Sequence, residues 1–131
     1  MDRDDLYAQA GVAPADVDFV QTYDDYPVIV MMQFEDLGFC KKGEGAEFVR
    51  QHDLTIDSDF PHNTSGGQLS AGQAGAAGAY LGLVEGLRQV LGTAGPTQVR
   101  NASLALASGF GMINYDRGLA SGAAIFAGPS R

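Results

Sequence analysis

Between His62 and Gly75 the chain reads His-Asn-Thr-Ser-Gly-Gly-Gln-Leu-Ser-Ala-Gly-Gln-Ala-Gly, hydrogen-bonding side chains and glycines set ahead of an apolar, helix-forming segment. Backbone N–H groups at such a terminus attract an oxyanion, a thioester carbonyl or a phosphate. No Lys follows the glycines, so this is not a Walker A loop, and the spacing is not G-x-G-x-x-G. A structural turn and helix cap would use the same residue types. The phenols form the second group. Tyr23 is followed by Asp24, and a phenol at a strand terminus donates to a developing oxyanion or, with a depressed pKa, takes a proton. Tyr115 in Ile113-Asn114-Tyr115-Asp116-Arg117 is another, and Tyr26 a third; a packed or surface aromatic is the alternative for each.

The remaining reactive types are sparse. Cys40 is the one thiol, and with no histidine placed beside it by the local pattern it reads as a buried structural thiol. His52 and His62 are bases by type, although single loop histidines more often cap or lie on the surface. No His/Cys/Asp spacing suggests zinc, and Asp2, Asp4 and Asp5 read as a solvated helix start rather than calcium ligands.

The elements that must position these groups follow from periodicity. Asp2 to Ala10 reads as a short helix closed by Gly11, and a strand is expected from Val17 to Thr22, which puts Tyr23 at its C-terminal end. Pro27 to Leu37 places Val28, Met31, Met32, Phe34 and Leu37 at helical spacing and stops at Gly38. Lys41 to Arg50 begins as a loop and ends as a helical turn; Gln51 to Pro61 is irregular. A long buried helix is expected from Ala71 to Leu91. Its apolar stripe is Leu81, Val84, Leu87 and Leu91; Gly72, Gly75, Gly78, Gly82 and Gly86 form a face tight against another backbone. Gln98 to Ala107 and Leu119 to Ala127 read as neighbouring strands joined by a Gly109 to Gly118 loop. The order is that of an α/β layer with three or four strands, an incomplete sheet that implies a covering partner.

Composition sets the class. The 131 residues are 45% hydrophobic and 18% charged, one ordinary globular domain. Residues 1 to 61 hold 14 acidic and 4 basic side chains, residues 62 to 131 only 2 and 4, and 14 of the 18 glycines follow residue 65. An acidic solvated part thus precedes a Gly-rich, site-bearing part within a single domain spanning 1–131. The net charge of -8 argues against a nucleic-acid partner or a basic membrane-surface module. Gln68 to Val84 is uncharged for 17 residues but carries four glycines, so no membrane insertion is expected. Met1 is followed by Asp2-Arg3-Asp4-Asp5 rather than a secretory leader, so a cytoplasmic location is expected and the sequons at Asn63 and Asn101 have no route to glycosylation.

Several of these motifs, in order, resemble a known family. Asn63 to Gly78 resembles the thiolase signature of an Asn-x-x-Gly-Gly turn followed by a Gly-His-Pro helix start. Tyr23-Asp24-Asp25-Tyr26, then Leu37-Gly38-Phe39-Cys40-Lys41-Lys42-Gly43-Glu44-Gly45, then the Asn63 turn, is similar to the C-terminal domain of the sterol-carrier/lipid-transfer branch of thiolases. Ser108-Gly109-Phe110-Gly111-Met112 is similar to the family's last glycine-rich loop, so the resemblance covers nearly the whole chain.

The departures decide the chemistry that the resemblance implies. Gln73 stands where thiolases carry the histidine of Gly-His-Pro, and glutamine is no general base near neutral pH. Ala107-Ser108 stands where the last loop supplies a cysteine, and the acyl-accepting cysteine belongs to an N-terminal half that this sequence lacks. The branch is similar to steroid side-chain retro-aldolases, in which tyrosines replace the thiolase acid/base machinery. The resemblance therefore implies an α/β thiolase-like C-terminal domain that completes an acyl-CoA thioester site with a partner carrying the N-terminal half. Tyr23 or Tyr115 would be the acid/base, Asn63 and Gln73 would bond the thioester or a water, and Asp24, Tyr26, Ser65, Gly66, Gly67, Gly109 and Gly111 would line the substrate. Coenzyme A enters as part of the substrate, with no resident cofactor or metal; a small OB-fold acyl-CoA-binding protein is a second expected partner in a hetero-oligomer. The alternatives are a non-catalytic structural or regulatory subunit, and an acyltransferase component whose nucleophile and base come from the partner.

Overall fold

The computed structural model describes residues 3–73, 78, 80–114 and 117–129. Helix α1 (Arg3–Ala10) leads through a 3-10 turn at Pro14–Asp16 into strand β1 (Phe19–Gln21), then α2 (Pro27–Asp36), α3 (Gly45–Gln51), α4 (Gly67–Ala71), α5 (Leu81–Val90), β2 (Leu104–Asn114) and β3 (Arg117–Ala127). The sheet order is β1-β2-β3, with β1 parallel to β2 and β2 antiparallel to β3.

Strand β1 is short because both flanks are claimed. Val17 still donates to Pro14 O, and Asp18 turns its carboxylate onto Ser103 N, Ser103 Oγ and Leu104 N at 2.8, 2.7 and 2.8 Å, pinning the start of β2. The expected strand from Val17 to Thr22 thus shrinks to three residues, all buried, as suits a strand covered on both faces. On one face Val20 and Leu106 pack with Leu6, Tyr7 and Leu37. On the other Phe19 and Ala105 pack with Val90 and Val99. Each Val, Leu and Phe side chain among them, fully buried, contributes about 1.5–3 kcal/mol relative to exposure. Tyr7 donates to Leu37 O at 2.9 Å, and burial pushes its phenol up to about 12. Phe34, fully buried, centres a cluster with Phe39, Phe48, Phe60 and the His62 ring, at centroid distances of 5.0 to 6.4 Å.

Two expectations are corrected. The helix expected from Ala71 to Leu91 is not continuous: α4 ends at Ala71 because Gly72 (φ +105°, ψ +163°) is not helical, and α5 begins at Leu81. Ala74–Ala77 and Ala79, with the predicted Gly75, lie outside the described residues. The buried face of α5 is also the opposite one. Val84, Leu87 and Leu91 are exposed, whereas Glu85, Gly86, Gln89 and Val90 are buried. The glycines do permit a close approach, but to side chains rather than backbone: a Cβ at Gly82 would lie 3.2 Å from Gln21 Cβ, and one at Gly86 would overlap the Phe126 ring. The polar groups on that face survive burial because each is hydrogen-bonded. Glu85 Oε1 accepts from Thr64 Oγ1 and Gln89 Nε2 at 2.7 and 2.9 Å, Gln21 Nε2 donates to Thr64 Oγ1 at 3.0 Å, and Arg88 pairs with Glu85 Oε2 at 2.8 Å.

The second correction concerns the C-terminal hairpin. Residues 98–103 are not strand, and the expected Gly109 to Gly118 loop is largely β-ladder, running from Leu104↔Ala127 to Asn114↔Arg117. Antiparallel pairing satisfies the backbone of Gly109, Gly111 and Gly122 whatever their poor intrinsic strand preference. Among the described residues no helix is long and apolar enough to cross a membrane.

Candidate functional site

The carboxyl end of β1 is where the parallel pair opens, the usual place for a site in a sheet of this kind. Beyond Gln21 the pairing with β2 ends, and side chains take over the backbone hydrogen bonds. Asn63 Oδ1 accepts from Thr22 N at 2.9 Å. Gln33 Oε1 accepts from Tyr23 N at 3.2 Å, and Gln33 Nε2 donates to Tyr23 O at 2.6 Å. Half-buried Tyr23 then presents its hydroxyl 3.4 Å from Nε2 of exposed Gln73, a long but donating contact. The Tyr23 phenol and the Gln73 amide are thus brought together across 50 residues of sequence.

The Asn63 turn is built by its backbone. His62 forms a parallel bridge with Val20, Asn63 N donates to Val20 O at 3.0 Å, and Asn63, Gly66 and Gly67 adopt φ of +45°, +93° and +64°. Asp24, buried at 6% exposure, caps the helix that follows: Oδ1 accepts from Gln68 N at 2.7 Å and Oδ2 from Leu69 N at 3.3 Å. Both oxygens of this predicted substrate-contacting residue therefore face the protein. Gly67 is buried against that carboxylate, while Ser65 and Gly66 are exposed on the turn. Asn63 Nδ2 makes no hydrogen bond among the described residues, leaving an amide donor at the turn.

Tyr26, 60% exposed, precedes α2 and points to solvent rather than to Tyr23. Gly109 and Gly111 lie in β2, and a Cβ at Gly109 would meet nothing within 4 Å. Tyr115 lies outside the described residues. Cys40 is partly buried, and burial together with the Glu35 and Glu44 charges pushes its thiol up, away from the reactive thiolate. His52 stacks on Phe48 and pairs with Asp59 at 2.7 Å. A cavity of about 160 Å3, lined by Leu6, Gln33, Leu37, Ser108, Phe110 and Ala123 among others, adjoins the site from the α1 side.

His62 is a structural imidazole. Its Nε2 lies 2.7 Å from Thr22 Oγ1, its ring packs edge-on against Phe34, and burial pushes it down from 6.5 to about 4. Between those values the unfolded chain binds more protons than the folded one, so stability is complete above pH 6.5 and falls as the pH drops toward 4. A loss of about 2 kcal/mol between pH 7 and pH 5 is expected from this residue. Urea unfolding at both pH values checks it; His62→Gln should flatten the dependence.

Sequence reasoning missed Gln33. The available signal was a single polar residue within Val28-Ile29-Val30-Met31-Met32-Gln33-Phe34, which the structure buries at 5% exposure.

Comparisons with known proteins place the chain in a family. Residues 4–120 match the family model described as Thiolase C-terminal domain-like. The chain is 42% identical over 88 residues to the 17-hydroxy-3-oxo-4-pregnene-20-carboxyl-CoA lyase of Mycobacterium tuberculosis and to the steroid side-chain-cleaving aldolase of Thermomonospora curvata, covering 67% of this chain and 22% of each relative. It is 32% identical over 106 residues to sterol carrier protein 2 of Rattus norvegicus, 81% of this chain and 19% of that one. The solved Ltp2-ChsH2(DUF35) aldolase superposes with a TM-score of 0.70 at 34% identity, over 82% of this chain and 27% of that chain. The chain spans about a quarter or less of these relatives. With its mixed three-stranded sheet, covering helices and Asn63 turn, it belongs to the thiolase C-terminal domain-like family.

Proposed function

We propose that this domain supplies one side of an acyl-CoA thioester site, completed by a thiolase N-terminal half, and that the completed site cleaves a β-hydroxyacyl-CoA by retro-aldol chemistry. The observation that carries this reading is the Tyr23 phenol at the end of β1, with the Gln73 amide and no imidazole facing its hydroxyl. In that reaction the base takes the β-hydroxyl proton and the bond between Cα and Cβ breaks. Cβ becomes a ketone, the electron pair passes to Cα as a thioester enolate, and a proton is returned to Cα. Tyr23 or Tyr115 is the acid/base, and Asn63 Nδ2, which has no hydrogen bond among the described residues, and the Gln73 amide donate to the thioester oxygen or a water. Exposed Ser65 and Gly66, Tyr26, and the open backbone at Gly109 and Gly111 meet the substrate; Asp24 and Gly67 act from behind by holding α4.

A partner half is supported by the exposed apolar residues Val84, Leu87 and Leu91 on α5 and by the fraction of the relatives that the chain spans. An OB-fold acyl-CoA-binding protein is the further partner. The names of the two relatives at 42% identity, a lyase of a pregnene carboxyl-CoA and a steroid side-chain-cleaving aldolase, support cleavage over acyl transfer. The test is to incubate the chain, co-purified with a thiolase N-terminal half, with a β-hydroxyacyl-CoA and to weigh the products by mass spectrometry. Ketone and shortened acyl-CoA in equal amounts, without consumption of free CoA, are expected. Cleavage of the corresponding β-ketoacyl-CoA that requires free CoA, with the β-hydroxyacyl-CoA left intact, would replace this reading with thiolytic acyl transfer, and absence of turnover on both would leave a structural subunit.

A further inference from the structure

We propose that Gln33 is the positioning residue of this site: its side-chain amide fixes the backbone of Tyr23, ties it to Ser108 of β2, and thereby sets the direction of the phenol. The inference rests on the role given above to Tyr23. Four hydrogen bonds carry it. Oε1 accepts from Tyr23 N at 3.2 Å and from Ser108 Oγ at 2.8 Å; Nε2 donates to Tyr23 O at 2.6 Å and to Ile29 O at 3.1 Å. Every acceptor and donor valence of the amide is used.

The geometry is that of a missing strand. Tyr23 is two residues beyond the last residue of β1, and Gln33 closes on both its N–H and its C=O as a neighbouring backbone would. The residue before it is held similarly by Asn63. Part of what the amide does is structural, since it pairs the Tyr23 N–H and C=O that Met would leave unpaired. Gln33 is 5% exposed and sits between Met32 and Phe34, where Met would fill the same volume without desolvating an amide. What Met cannot do is hold Tyr23. The backbone of a residue fixes its Cα–Cβ bond and restricts its rotamers, and a reacting group displaced by about 1 Å loses up to a hundredfold in rate. The hydrogen bond from Ser108 ties the end of β1 to the middle of β2, and it commits the Ser108 hydroxyl.

The test compares Gln33→Met, Tyr23→Phe and the double variant in the full chain with its partner. Hydrogen exchange of the Tyr23 amide, a readout independent of activity, is expected to accelerate at least tenfold in Gln33→Met while the Val20 and Phe34 amides keep their protection. Retained protection at Tyr23 overturns the proposal. Turnover is expected to fall roughly tenfold through kcat with KM within twofold, and to fall no further when Gln33→Met is added to Tyr23→Phe. Losses that multiply in the double variant overturn an action through the phenol. A Tyr23→Phe variant with full activity would remove the proposed role of Tyr23, and the exchange measurement would still decide whether Gln33 holds that backbone. Should Gln33→Met not fold, Ser108→Ala removes one bond to Oε1 and leaves the core intact; a threefold change in each readout is expected, and none overturns the proposal.

Discussion

Tyr23→Phe is expected to lower turnover by roughly a hundredfold in the complex, the low end of what a positioned proton donor or acceptor contributes. That factor corresponds to about 2.7 kcal/mol of lost transition-state stabilisation. The substitution removes one oxygen and keeps the ring that half-buries beside Gln33 and Gln73. The hydroxyl's partner is the exposed Gln73 amide at 3.4 Å, so its loss orphans no buried group. Stability should therefore stay within about 0.5 kcal/mol of the parent, as for substitutions away from buried features. The loss should fall on kcat, because proton transfer is made only in the transition state. Steady-state kinetics with a β-hydroxyacyl-CoA, beside a thermal melt of the same preparation, separate the two quantities. Turnover within twofold of the parent would show that this phenol moves no proton.

Gly67→Ala is expected to destabilise the domain by roughly 3 to 4 kcal/mol, the sum of left-handed strain and overpacking against fixed neighbours. Gly67 has φ +64°, and a Cβ there would overlap the Asp24 carboxylate and lie 2.9 Å from Asn63 Nδ2. Neither neighbour can step aside cheaply: Asp24 is held by Gln68 N and Leu69 N, and Asn63 by Thr22 N. The clash thus strikes the Asn63 turn and the residues on either side of Tyr23 at once. Gly43→Ala is the control, because Gly43 has φ +85° but a Cβ would meet nothing within 4 Å, so only the strain of about 1–2 kcal/mol remains. Urea unfolding of the two variants measures the difference, and equal losses would mean that the Asp24 carboxylate yields freely.

The pattern of the sequence carried the outer frame of the fold. Helix α2 begins at Pro27 and ends at Asp36 before Gly38, close to the expected Pro27 to Leu37, because start signal, apolar spacing and stop glycine are all local. The placement of Tyr23 past a strand and of the Asn63 turn ahead of a helix was legible for the same reason. Where the reading failed, long-range partners had overruled local preference. The Ala71 to Leu91 segment was given its apolar stripe as the inward face, yet Glu85 and Gln89 go inward because they bond each other, Thr64 and the Thr97 carbonyl. The glycines of the last loop became β2 because β3 pairs with them.

Residue types and their order along the chain determined which groups are present: a phenol after β1, an Asn-x-x-Gly-Gly turn, Gln73 and Ser108. Those are properties of single positions, and no folding is needed to read them. Only the tertiary structure decided which of them act together. Gln73 reaches Tyr23 across 50 residues and Ser108 reaches Gln33 across 75, while Asp24 turns away to cap α4 and half-buried His62 packs edge-on against Phe34. A hydrogen bond depends on distance and direction between two atoms, and those are set by the packing of whole elements rather than by spacing along the chain.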